Sequence, residues 1–144
     1  MGVEIKGFKE LENQLEKRFG VKAMRIKSDK ALTEASDYML NEMKSHFKAF
    51  KDTGASIDEM TRTKPFTDAR DRQRTVVIEW VGPRDRYRLI HLNEHGYDRN
   101  GKKVIPRGFG VIEKTLQASQ ARYRKIVVDE LRKGLWIYLR ILEK

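Results

Sequence analysis

Between residues 7 and 20, Phe8, Leu11, Leu15 and Phe19 recur at intervals of three and four and predict a short amphipathic helix. Gly20 stands where a left-handed C-terminal cap belongs. After a basic connector over 21–27, Ser28 or Asp29 can cap a longer helix over 29–51, whose apolar stripe is Leu32, Ala35, Met39, Met43, Phe47 and Phe50. At this spacing the methionines read as core filling rather than as a promiscuous groove. Asp52-Thr53-Gly54 marks the stop. Two β-branched and aromatic segments follow, 55–64 with Ile57, Thr61 and Thr63, and 75–81 with the run Thr-Val-Val-Ile-Glu-Trp-Val. They predict an antiparallel hairpin whose long tip, 65–74, is charged.

Residues 84–95 fit neither period well, since Tyr87, Leu89, Ile90 and Leu92 are unevenly spaced, and are read as a short helix. The stretch 96–108 carries Asp98-Arg99-Asn100-Gly101 and Pro106 and is expected to be a mobile loop. From residue 110 to 133, Ile112, Leu116, Tyr123, Val127 and Leu131 predict a third helix ending at Lys133-Gly134. The tail 135–142, Leu-Trp-Ile-Tyr-Leu-Arg-Ile-Leu, is apolar on both alternating faces. It is read as a strand, either added to the hairpin sheet or forming an apolar edge that another subunit covers. The expected fold class is α+β: two long helices and one short N-terminal helix on a small antiparallel sheet with a long charged hairpin. One domain, 1–144, is expected, with 134–144 as an apolar extension.

Composition narrows the class. The chain has 144 residues, 39% hydrophobic and 36% charged, which suffices for one modest core. Without cysteine it has no disulfide framework and no thiol nucleophile, as is ordinary in a reducing cytoplasm. No stretch approaches the roughly 18 apolar residues of a membrane span, so a soluble, intracellular chain is expected. The net charge is +10, and it is concentrated at the end: residues 101–144 hold eleven Lys and Arg against four Asp and Glu, while 52–100 are balanced. Such an excess favours polyanions, and it also keeps a small domain soluble.

Four constellations bear on chemistry. His91-Leu92-Asn93-Glu94-His95 has the order of inverted zinc proteases, in which two histidines share a helix face and a glutamate polarises water. A third ligand would have to come from Glu113, Asp129, Glu130 or Glu143, none of which lies in a supporting motif. Arg107-Gly108-Phe109-Gly110 could offer amides to a phosphate, but Glu113 breaks the dinucleotide pattern and the stretch reads as a flexible helix entry. Arg84-Asp85-Arg86-Tyr87-Arg88 interleaves basic and aromatic residues as single-strand binders do, yet its aspartate favours a solvated face or a salt-bridged subunit contact. Arg122, Arg124, Lys125, Arg132 and Lys133 would serve a basic nucleic-acid-binding module.

The order of features resembles the head-tail joining, or tail-completion, proteins of long-tailed bacteriophages, the family typified by gene product ten of a lambda-like coliphage. The residues concerned are Ile5-Lys6-Gly7-Phe8-Lys9-Glu10-Leu11 at the first helix, Asp52-Thr53-Gly54, the strand 77–81, His91-Leu92-Asn93-Glu94-x-Gly96, and Pro106-Arg107-Gly108-Phe109. The resemblance covers 1 to about 133. His95 replaces the usual aromatic and Tyr97 the usual Thr of the family's Glu-aromatic-Gly-Thr signature, and the tail has no counterpart.

The resemblance implies a non-enzymatic structural protein of the virion neck, without metal or cofactor. It would form a homo-oligomeric ring between the head connector and the tail tube, with non-specific contact to the DNA passing through the lumen. Its place would be the virion, and the host cytoplasm during assembly. Expected subunit or partner contacts are Arg70, Arg72 and Arg74 at the hairpin tip; Asp98, Arg99, Lys102, Lys103 and Arg107 in the loop; and Trp136 and Tyr138 in the tail. His91, Glu94 and Gly96 are expected to form a structural motif.

Overall fold

A computed structural model of the chain describes residue 13 and residues 16–142, with the side chains of the last helix as far as 133. Most of the first expected helix therefore lies outside the described residues; 16–19 are helical. Gly20 is not a left-handed cap. It is extended (φ −61°, ψ 168°) and leads into α1, Val21–Phe47. The basic connector is thus the first two turns of α1, because nothing in 21–27 interrupts a helix. The predicted stripe faces inward, with Ala35, Met39, Met43 and Phe47 buried. A 3-10 turn, Lys48–Phe50, completes the rod.

Residues 55–64 are only partly strand. Gly54 is left-handed (φ 80°) and its carbonyl accepts the amides of Ile57 and Asp58, which winds Ala55–Asp58 into one turn, α2. The strand β1, Met60–Arg62, follows. The expected hairpin is present but interrupted. β1 pairs antiparallel with β4, Ile78–Trp80, in the register Met60↔Trp80, while β2, Phe66–Thr67, pairs with β3, Arg74–Thr75. Between the two ladders the Thr63 hydroxyl accepts the Val77 amide at 3.0 Å, which splits the predicted strand 75–81.

Residues Tyr87–His95 form the short helix, α3. The expected loop after it is a hairpin: β5, Tyr97–Arg99, pairs with β6, Lys102–Val104, around Asn100 (φ 50°) and Gly101 (φ 75°). Two left-handed residues in succession are what a two-residue hairpin turn demands, and Asn-Gly supplies them. The last helix, α4, runs Val111–Leu142, through Gly134 and the whole tail. The strand expected over 135–142 is corrected to helix: one glycine costs a helix only about 1 kcal/mol, and a short apolar run has no decisive period.

The architecture is α+β, with three separate two-stranded antiparallel sheets among the described residues rather than one. α1 and α4 lie antiparallel along each other, since His46 meets Thr115 at one end and Lys30 meets Glu130 at the other. The core, Met43, Phe47, Met60 and Ile90, closes where α1, α3, the β1–β4 sheet and the first turn of α4 converge. Phe47 stacks on Trp80 at 5.8 Å between ring centroids. No helix among the described residues is long and apolar enough to cross a membrane.

Candidate functional site

The His91 to Gly96 motif sits at the junction of α3, the β5–β6 hairpin and α4. Helical spacing puts Glu94 on the inner face of α3 beside Ile90, and both are buried, whereas His91 and His95 are exposed. The Glu94 carboxylate accepts the amides of Ile112 (2.8 Å) and Glu113 (2.9 Å), and its carbonyl accepts the Gly110 amide at 3.0 Å. A helix begins with amides that have no internal partner and with the positive end of its dipole, so an ionised side chain there satisfies both. Glu94 is a cap supplied from another element.

Gly96 makes the next step possible. Its φ of 73° and ψ of 176° belong to a region open to glycine alone, and a Cβ there would stand 2.8 Å from the Val104 carbonyl oxygen. The chain reverses into β5 at once, and Phe109 packs beneath the turn. A Cβ at Gly108 would likewise run into the side chains of Asn93 and Phe50.

The zinc arrangement does not form. Its glutamate is engaged by two backbone amides, and no group of three or more His, Asp or Glu that could hold a metal occurs among the described residues. Of the other expected ligands, Glu113 holds Gln117, Asp129 pairs with Lys125 and Glu130 with Lys133; Glu143 lies outside the described residues. The Arg107 to Gly110 stretch is a tight turn into α4, with Phe109 bonded to Pro106 and Val111 to Gly108.

A second buried glutamate, which the sequence reading missed, does the same work at the other end of α3. Glu59 accepts the amides of Arg84 (2.6 Å) and Arg86 (2.9 Å), and holds the turn in which Asp85 is left-handed (φ 50°). No local spacing connects residues 25 positions apart, so nothing in the sequence advertised it. Nearby, Arg86 donates to Thr53 in the Asp52-Thr53-Gly54 turn, where the Thr53 amide holds the Asp52 carboxyl below its ordinary pKa.

The expected contact residues separate into distinct places. Arg70 stays at the first hairpin's tip but folds onto Asp68 at 2.8 Å, which lowers the pKa of that carboxyl. Arg74 lies below the tip in β3. Its guanidinium grips Asp29 of α1 in two bonds of 2.8 and 2.7 Å and also donates to Thr67 and the Pro65 carbonyl. Arg72 is exposed and left-handed (φ 62°).

In the second hairpin Asp98, Arg99, Lys102 and Lys103 are all exposed. Arg107 at its base donates to the Ala49 carbonyl at 3.3 Å. Trp136 and Tyr138 lie on helical backbone rather than on a strand, and their side chains are outside the described residues. On α4, Arg122, Arg124 and Arg132 are exposed, while Lys125 and Lys133 are paired with acids.

One apolar groove of about 580 Å³ runs between α1, β4 and α4, lined by Met39, Met43, Ile78, Trp80, Leu116 and Tyr123 among others. It holds no clustered acid, base or nucleophile. No protein-family model, no curated protein and no solved structure matches this chain.

Proposed function

We propose that the chain is a structural subunit of the neck of a long-tailed phage, which assembles with copies of itself into a ring joining the head connector to the tail tube. The observation that carries this reading is the part played by Glu94. The motif on which the resemblance rests caps the last long helix with its glutamate and turns the chain through Gly96 into a projecting hairpin. These are architectural duties, and they account for the Glu and the Gly of the motif without catalysis. Two hairpins on a short core, with an apolar groove left open among the described residues, suit a subunit that completes its surface against neighbours. On this reading the protein resides in the virion neck, and in the host cytoplasm while particles assemble.

The test is complementation. Induced cells whose phage lacks this chain should accumulate filled heads and finished tails unjoined, and supplying the chain should restore joined particles under the electron microscope. Joined particles in its absence would overturn the proposal. The alternative, a nucleic-acid-binding module built on the last helix, has less support, because two of its five cations are tied to Asp129 and Glu130.

A further inference from the structure

The two hairpins treat their cations differently. In the first, Arg70 is held by Asp68 and Arg74 by Asp29, so two of its three arginines are paired within the fold and Arg72 alone is left exposed without an ion pair among the described residues. In the second, Arg99, Lys102 and Lys103 make no ion pair among the described residues, although all three are exposed and Asp98 stands opposite Lys103 in the register. The ladder also sets Arg99 directly across from Lys102. Like charges directly opposite on two strands destabilise a hairpin, and this one spans only three residues on each side.

From this contrast we infer that the β5–β6 hairpin is a contact for the phosphate backbone of duplex DNA, made without regard to sequence. Its base is fixed by Gly96, Val104 and Phe109, while its outer part stands clear of the core. Alternation along the strands puts Arg99 and Lys102 on one face and Lys103 on the other. The Arg99–Lys102 face is purely cationic and suits a phosphate strand, while on the other face Lys103 stands beside Asp98. Two strands about 5 Å apart enter a major groove about 12 Å wide. A flat acidic protein surface would meet one face only. Arg107, exposed at the base, extends the positive surface there. The inference deepens the neck reading by giving the passing duplex a contact, and it is tested on the chain itself, so joining assays decide the neck reading separately.

The experiment is fluorescence anisotropy of a labelled mixed-sequence duplex of about 20 base pairs titrated with the full chain between about 50 and 200 mM salt. The wild type should bind with log affinity falling linearly against log salt. The variant Arg99→Gln, Lys102→Gln, Lys103→Gln should bind about tenfold or more weakly at low salt, with the slope reduced by about 0.9 for each phosphate that is no longer neutralised. Lys102→Glu separates binding from folding: it places opposite charges across the ladder, so the protein should melt no lower while affinity falls. Three results would overturn the inference: no binding by the wild type, an equal loss in Arg122→Gln, Arg124→Gln, Arg132→Gln, or tighter binding to polyglutamate than to the duplex, which would reassign the ribbon to an acidic protein.

Discussion

Glu94 and Ile112 are joined by a 2.8 Å hydrogen bond in which the first turn of α4 donates an amide to a carboxylate carried by α3. With the Glu113 amide at 2.9 Å, it makes one side chain the hinge between two helices and the hairpin that separates them. Removing it leaves two amides at the start of α4, partly shielded from water, without their partner. Glu94→Ala should therefore cost about 1–3 kcal/mol, seen as a lower urea midpoint at unchanged slope. Glu94→Gln, which keeps the shape and one acceptor, should cost less. Equal midpoints for Glu94→Ala and wild type would show that the cap is dispensable.

Gly96 and Gly101 offer a matched comparison within one hairpin. Both have positive φ, 73° and 75°, but an added Cβ at Gly101 meets nothing within 4 Å, whereas at Gly96 it meets the Val104 oxygen at 2.8 Å. Gly101→Ala should cost about 1–2 kcal/mol from the left-handed backbone alone. Gly96→Ala adds a steric clash in a region closed to side chains and should cost more, with faster hydrogen exchange through β5 and β6. The reverse ranking would mean that the turn relaxes around residue 96.

How much of this was legible follows from range. The stripe of Ala35, Met39, Met43 and Phe47 repeats at helical spacing, so α1 and its buried face could be read directly. The Asn100-Gly101 turn carries a usable signal, but its flanks are charged rather than alternating apolar, so the pattern predicts a loop where the structure has a hairpin. The tail 135–142 failed for the opposite reason, since a short run that is apolar except for Arg140 fits a strand and a helix equally. In 55–58, the conformation of Gly54 rather than the composition of Ala-Ser-Ile-Asp decided the outcome. The capping partners of Glu94 and Glu59 and the Asp29–Arg74 pair connect residues 18 to 45 positions apart, and no local pattern encodes them.

Arg74 ties the first hairpin to α1 through Asp29, with both side chains about a quarter exposed. A two-pronged pair half screened by solvent should show a coupling of about 1 kcal/mol in a double-mutant cycle of Arg74→Ala and Asp29→Ala. Arg70→Ala, whose partner Asp68 lies on the same tip, should change stability little. A coupling indistinguishable from zero would leave the hairpin held by β1 and β4 alone.

Glu34 and Glu130 face each other across the α1–α4 seam, with Lys30 and Lys133 beside them. The hydrogen bond to Glu130, then desolvation and like-charge repulsion, raise the Glu34 pKa, while bonds from Lys133 and Glu34 lower that of Glu130. The two groups thus pull stability in opposite directions. A carboxyl raised on folding contributes fully below its ordinary pKa and loses that contribution as pH climbs through the raised value. A lowered one contributes above the ordinary value and fails as pH falls. Glu34→Gln donates the same hydrogen bond at every pH. Urea melts from about pH 4 to about pH 8 should show the variant close to wild type in acid and more stable at neutrality. A difference that stays constant across that range would mean that Glu34 holds no proton in the folded protein.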